Sequence, residues 1–139
     1  PLYARPGRGS MSLDRERYET GLRIRKEVLG EDYVTRKLDA VDDFDREFQD
    51  VVTEAWGASW GRGVLTKRER SMMNLGMLAA MGRMHEFELH FGGAIRNGLT
   101  VAELREVLLH ISVYCGVPAA VECFRVGRRV LDQAGAPTP

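Results

Sequence analysis

TKRERSMMNLGMLAAMG, residues 66–82, reads as one helix with both ends marked. Thr66 with Glu69 three residues on is a capping box, in which each side chain satisfies a backbone N–H that the first helical turn leaves open. Between the ends, Met72, Met73, Leu75, Met77, Leu78, Ala79, Ala80 and Met81 make the helix apolar nearly all round. Such a helix belongs in the middle of a bundle. Met73, Met77, Met81 and Met84 recur at helical spacing, and core packing is the expected role of that stripe, with an apolar ligand wall as the alternative. Gly82 ends or bends the helix.

The same grammar extends in both directions. Downstream, a helical stretch over 83–96 closes at Asn97-Gly98. Thr100 and Glu103 then form a second capping box, opening a helix over 101–115. Gly116 stops it, and Pro118 suits the first turn of a last helix reaching about Ala134. Upstream, 12–29 is an amphipathic stretch stopped by Gly30, 31–40 a connector, and 42–56 a second amphipathic stretch. In that stretch Phe44, Phe48, Val51, Val52 and Ala55 repeat at helical spacing. WGASWGRG (56–63), punctuated by glycine, reads as a loop carrying two tryptophans. No strand alternation and no internal repeat interrupts the pattern. The expectation is an all-α compact bundle of about six helices.

At 139 residues the chain is sized for one domain. Residues 1–10 (PLYARPGRGS) read as an expression-tag remnant, leaving 11–139 as a single domain beginning at Met11. Twenty basic side chains balance twenty acidic ones. That balance argues against a nucleic-acid or polybasic membrane partner, whose affinity draws on surplus positive charge. No apolar run approaches the ~20 residues of a membrane span, and the N-terminus has no apolar signal core. The expected location is the cytoplasm. More amphipathic helix is written here than one small core uses, which predicts a homo-oligomer.

The chemistry concentrates in RMHEFELH (83–90). Arg83, Glu86 and His90 stand at i, i+3 and i+7, within about 60° of one another at ~100° per residue. A cation, a carboxylate and an imidazole therefore share one stripe, and a helix start after Gly82 adds N–H groups that favour an anion. The competing reading is a solvated Glu–His pair on a surface helix. A zinc site is rejected, because His85 and His90 are five apart rather than the four that aims both at one metal. Adding His110 supplies no recognisable zinc set. Arg62, Arg70 and Arg96 flank these helices, and arginine is suited to bidentate carboxylate recognition. Cys115 and Cys123, eight apart, form no C-x-x-C and read as structural thiols.

The run 83–131 resembles the carboxymuconolactone decarboxylase family. The resemblance rests on HE-x-x-x-H at 85–90, A-x-x-NGLT at 94–100, E-x-R-E-V-L-L at 103–109 and YCGVPAA at 114–120. Upstream, W-x-R at 60–62 and R-x-R-S from Arg68 to Ser71 also fit, whereas Gly63-Val64 stands where the family has Pro-Gly. The fold implied is alkylhydroperoxidase D-like, but the positions of that enzyme's dithiol are here Arg83 and Glu86.

What the resemblance implies is cofactor-free decarboxylation of 4-carboxymuconolactone to 3-oxoadipate enol-lactone, in the protocatechuate branch of the β-ketoadipate pathway. The substrate is a lactone dicarboxylate that needs no metal. His90 is expected to donate the proton or hold the oxyanion, Glu86 to tune His90 or shuttle the proton, and Arg83 to pair with a carboxylate. Those two roles are exchangeable between Glu86 and His90. Trp60, Arg62 and Arg70 are expected to bind substrate. The family's subunits associate into dimers and trimers of dimers, so a hexamer is expected. Two other readings are an alkylhydroperoxidase-like redox or peroxide-defence protein and a non-catalytic oligomeric binding protein.

Overall fold

A computed structural model describes residues 13–135, and the tag remnant at 1–10 lies outside them. The described residues form α-helices without a strand, as expected: α1 Arg15–Leu29, α2 Glu31–Asp39, α3 Arg46–Trp60, α4 Lys67–Met81, α5 Met84–Arg96, α6 Val101–Tyr114 and α7 Val117–Gln133. They group into two compact units, one running to Leu65 and one starting at Thr66.

In the first unit, α1 and α3 pack with almost no space between their backbones. A Cβ built on Gly21 would stand 1.8 Å from the Thr53 carbonyl oxygen, and one on Gly57 would stand 1.8 Å from that of Arg17. Gly57 is therefore a packing residue inside a helix. The expected loop at 56–63 is corrected accordingly: α3 continues to Trp60, and Trp56 stacks on Trp60 at 4.9 Å between ring centroids. Of the expected connector at 31–40, Glu31–Asp39 is likewise helix. Gly30 turns the chain at φ 99°, its carbonyl accepts from the Val34 N–H, and buried Val34 anchors the short α2.

The inward face of α3 also differs from expectation. Its buried residues are Gln49, Thr53 and Gly57, while Phe44 just before the helix, and Phe48 and Val51 within it, are exposed. The reason is Arg25 of α1, which is 5% exposed. Its guanidinium donates to Thr53 Oγ1 at 2.8 Å and Gln49 Oε1 at 3.3 Å, and the Thr53 hydroxyl donates to the Gln49 carbonyl at 2.7 Å. A buried cation requires such partners, so the seam selects polar and small residues and turns the aromatic stripe outward. Burial lowers the Arg25 pKa from its ordinary value, with Tyr33 and Tyr18 opposing.

The second unit holds the larger apolar core, built on Leu75, Phe87, Phe91, Leu104, Leu108, Ile111 and Val126. Both capping boxes are present, at Thr66–Glu69 and Thr100–Glu103. Gly82 closes α4 at φ 69°, with its own N–H to Ala79 and the Arg83 N–H to Leu78, a Schellman turn. The expectation of a buried α4 needs correction. Its fully buried seam is Ser71, Leu75 and Ala79, with Met72 and Leu78 partly buried against the core, and Met73, Met77 and Met81 are 46%, 52% and 63% exposed. Apolar composition told which residues dislike water, not how many neighbours the helix has in one chain. Met84, by contrast, packs against the core.

Substituting Gly57→Ala should destabilise the protein by about 3 kcal/mol or more, because a methyl group would have to push apart two backbones rather than displace a side chain. Urea denaturation followed by circular dichroism measures this. Gly76→Ala, which meets open space on α4, should be neutral or mildly stabilising.

Candidate functional site

The Schellman turn at Gly82 folds α5 back along α4, and polar contacts set how the two helices register. The Asn97 amide donates to Ser71 Oγ at 2.9 Å, joining the last turn of α5 to the first turns of α4. Arg68 of α4 bonds the Gly98 carbonyl and the Glu103 carboxylate, tying the start of α6 to the same end. With that register, Asn74 comes opposite His90.

His90 is half-buried, and its Nδ1 lies 3.5 Å from the Asn74 amide nitrogen. An amide N–H directed there leaves the neutral ring with its proton on Nε2. Burial lowers the His90 pKa below the ordinary 6.5, and the Glu86 carboxylate pulls it back up. Both effects follow from the charged imidazolium losing water on one side and gaining an opposite charge on the other.

Glu86 is exposed in the first turn of α5, where a carboxylate also meets the positive end of the helix. Arg83 sits in the position flanking that turn, at φ −87° and ψ 73°, outside the regular helix. Its phase is therefore not that of a helical residue, so the arithmetic that put it on one stripe with Glu86 and His90 applies only to the latter two. The Arg83 carbonyl accepts the first helical bond, from the Phe87 N–H at 2.8 Å. No side chain caps this helix start, in contrast to α4 and α6.

Arg70 lies one turn before Asn74 on α4 and is half-buried. Trp60 and Arg62 belong to the first unit, Trp60 half-buried at the end of α3 and Arg62 exposed just after it. Asn74 was missed in the sequence. Its signal was present, as the one amide among the methionines and leucines of α4, four residues after Arg70.

On another side of α5, Glu88 pairs with Arg129 of α7 at 3.0 Å, which holds the Glu88 carboxyl below its ordinary range. Among the described residues, no three His, Cys, Asp or Glu side chains gather into a set able to hold a metal. The Cys123 thiol is pushed up to about 11, first by burial and then by Cys115 and Glu122. At neutral pH it stays a thiol, and thiols are poor nucleophiles. Cys123 therefore offers no reactive thiolate to a redox reading.

Residues 46–129 match the carboxymuconolactone decarboxylase family. The chain is 38% identical over 123 residues to a 4-carboxymuconolactone decarboxylase of Acinetobacter baylyi, covering 88% of this chain and 92% of that protein. It is 39% identical over 121 residues to a nitrosuccinic acid decarboxylase of Metarhizium robertsii, covering 86% and 85%. A 4-carboxymuconolactone decarboxylase of Pseudomonas putida is 40% identical over 40 residues, which is 29% of this chain and 83% of that sequence.

The lowered pKa of His90 makes stability pH-dependent. The unfolded chain takes up a proton near 6.5 that the folded ring resists, so stability is full above that pH. It falls as pH drops through the folded value, then levels off. Chemical denaturation at pH 7.5 and pH 5 should show a larger loss for the wild type than for His90→Gln.

Proposed function

Since the chain belongs to the carboxymuconolactone decarboxylase family, we propose that it converts 4-carboxymuconolactone to 3-oxoadipate enol-lactone without metal or cofactor. Two relatives that cover most of the chain are both named as decarboxylases of carboxylic acids. The observation that carries the reading within the structure is His90: an imidazole drawn partly out of water, approached by an amide on Nδ1 and biased by a carboxylate one turn away. The family match runs across both helical units, which supports treating 11–139 as one functional domain.

The reaction asks little of the protein beyond positioning and one proton. The departing carboxylate sits on the saturated ring carbon γ to the lactone carbonyl, with a C=C bond between that carbon and the carbonyl. As the C–CO2 bond breaks, its electron pair moves through that bond onto the lactone oxygen as a dienolate. A proton delivered to the carbon α to the carbonyl restores the neutral lactone. His90 supplies that proton as imidazolium, or steadies the oxyanion through Nε2–H. Glu86 raises the share of imidazolium, opposing burial. Arg83, at the uncapped start of α5, holds a substrate carboxylate, and Arg70 is a candidate for the other. Trp60 and Arg62 enter on the strength of their W-x-R motif alone.

A second substrate is favoured by the Metarhizium relative. Nitrosuccinic acid is also a dicarboxylic acid with an electron acceptor next to the departing carboxylate, in that case a nitro group. The same residues would serve, and labelled CO2 release from each acid distinguishes the two.

The exposed stripe of Met73, Met77 and Met81, and that of Val113, Tyr114 and Val117, support association into a homo-oligomer, with the family's hexamer as the expected form. Among the described residues no helix is long and apolar enough to cross a membrane, and the proposed setting is the cytoplasm.

His90→Ala should cut turnover about 10²–10⁴-fold with the fold intact. Glu86→Gln should move the pH profile to lower pH, because the carboxylate that favours the protonated ring is gone. Arg83→Ala should mainly raise KM. Near-normal turnover of His90→Ala, with an unchanged pH profile, would remove His90 from the mechanism. Light scattering should give a mass several times that of the 15.6 kDa chain.

A further inference from the structure

Away from His90, helices α5, α6 and α7 border a half-open pocket of about 410 Å3. Its floor is Phe91, Leu104 and Leu108, all buried, and Val121 and Phe124 of α7 stand at its wall. Pockets that take small molecules start near ~300 Å3 and combine an apolar lining with a few polar groups. Here the charged lining groups are of one kind, the guanidiniums of Arg105, Arg125 and Arg128. Arg125 is paired with Glu122 at 3.4 Å. Arg105 and Arg128 have no ion pair among the described residues.

The pocket and His90 use different sides of α5. His90 faces Asn74 of α4, whereas the Phe91 ring lies against Gly127 of α7, where an added Cβ would come within 2.9 Å of it. The bare backbone at Gly127 lets the ring form part of the floor. An apolar hollow flanked by two unpaired guanidiniums suits a ligand with the inverse pattern. Both guanidiniums are exposed and solvated when the pocket is empty, and a carboxylate is the ligand group that matches the planar fork of arginine.

We propose that this pocket binds a carboxylate with a one- or two-ring apolar body, the rings lying on Phe91, Leu108 and Phe124 and the carboxylate taken by Arg105 and Arg128. The site shares no residue with the proposed decarboxylation and does not depend on it.

Calorimetric titration of the full chain with 1-naphthoate, and with neutral 1-naphthamide, tests this. One saturable naphthoate site per chain is expected. Arg105→Gln with Arg128→Gln should weaken naphthoate about tenfold or more, the loss of a charge-assisted hydrogen bond, and leave naphthamide unchanged. Val121→Trp, which fills the hollow, should weaken both, and His90→Ala should weaken neither. Should the tryptophan variant fail to fold by circular dichroism, the paired glutamine variant at the surface decides alone. The proposal is overturned by an absence of saturable binding, by equal naphthoate affinity in the glutamine pair, or by loss of binding in His90→Ala. It is equally overturned if Val121→Trp reduces the mass by light scattering, since a second copy of the chain would then occupy the groove.

Discussion

The register of α4 against α5 is the constraint on which the second unit depends. Gly82 reverses the chain at a positive φ that other residues adopt only with strain, and the bond from Asn97 to Ser71 locks the far end. Between these two points Asn74 has one possible partner level on α5. A slip of a single residue would turn His90 by ~100° away from it. The Asn97 bond is worth only about 1 kcal/mol net, yet it selects one alignment among several that apolar packing alone would tolerate.

The first unit is held on a different principle. Its helices meet backbone to backbone at Gly21 and Gly57, and beside that crossing lies the cation of Arg25 with its neutral oxygen partners. Close approach and a buried charge leave no room for large apolar side chains at the seam. Phe48 and Val51 are consequently on the outer face of α3. The exposed methionines of α4 have a related origin, since its fully buried seam is a single row of small and medium residues. Exposed apolar stripes of this kind are the observation behind the proposed association.

On α5, neighbouring faces do separate electrostatic work. One carries His90, where desolvation and Glu86 act in opposite senses, so the protonation state is set by a difference between two effects. Another carries Glu88, whose charge is fixed by Arg129. Glu88 is held in an ion pair with Arg129, whereas His90 has the Asn74 amide at Nδ1 and the Glu86 carboxylate one turn away.

Local signals were legible without a structure. Thr66 with Glu69, Thr100 with Glu103, Gly82, Gly98 and Pro118 mark helix ends through interactions that span three or four residues, and the second unit follows them closely. The HE-x-x-x-H segment carries part of the family resemblance on which the proposed chemistry rests. What the sequence could not convey was which partner each helix face would meet. Gly57 looks the same whether it breaks a helix or admits a neighbouring backbone, so α3 was cut short. The methionines of α4 look the same whether they face a core or open space. Asn74 gains its meaning only from a residue sixteen positions later, brought opposite by a turn. Local grammar determined the helix ends of the second unit; tertiary packing decided where α2 forms, how far α3 runs and which faces were buried, because burial depends on what the rest of the chain places alongside.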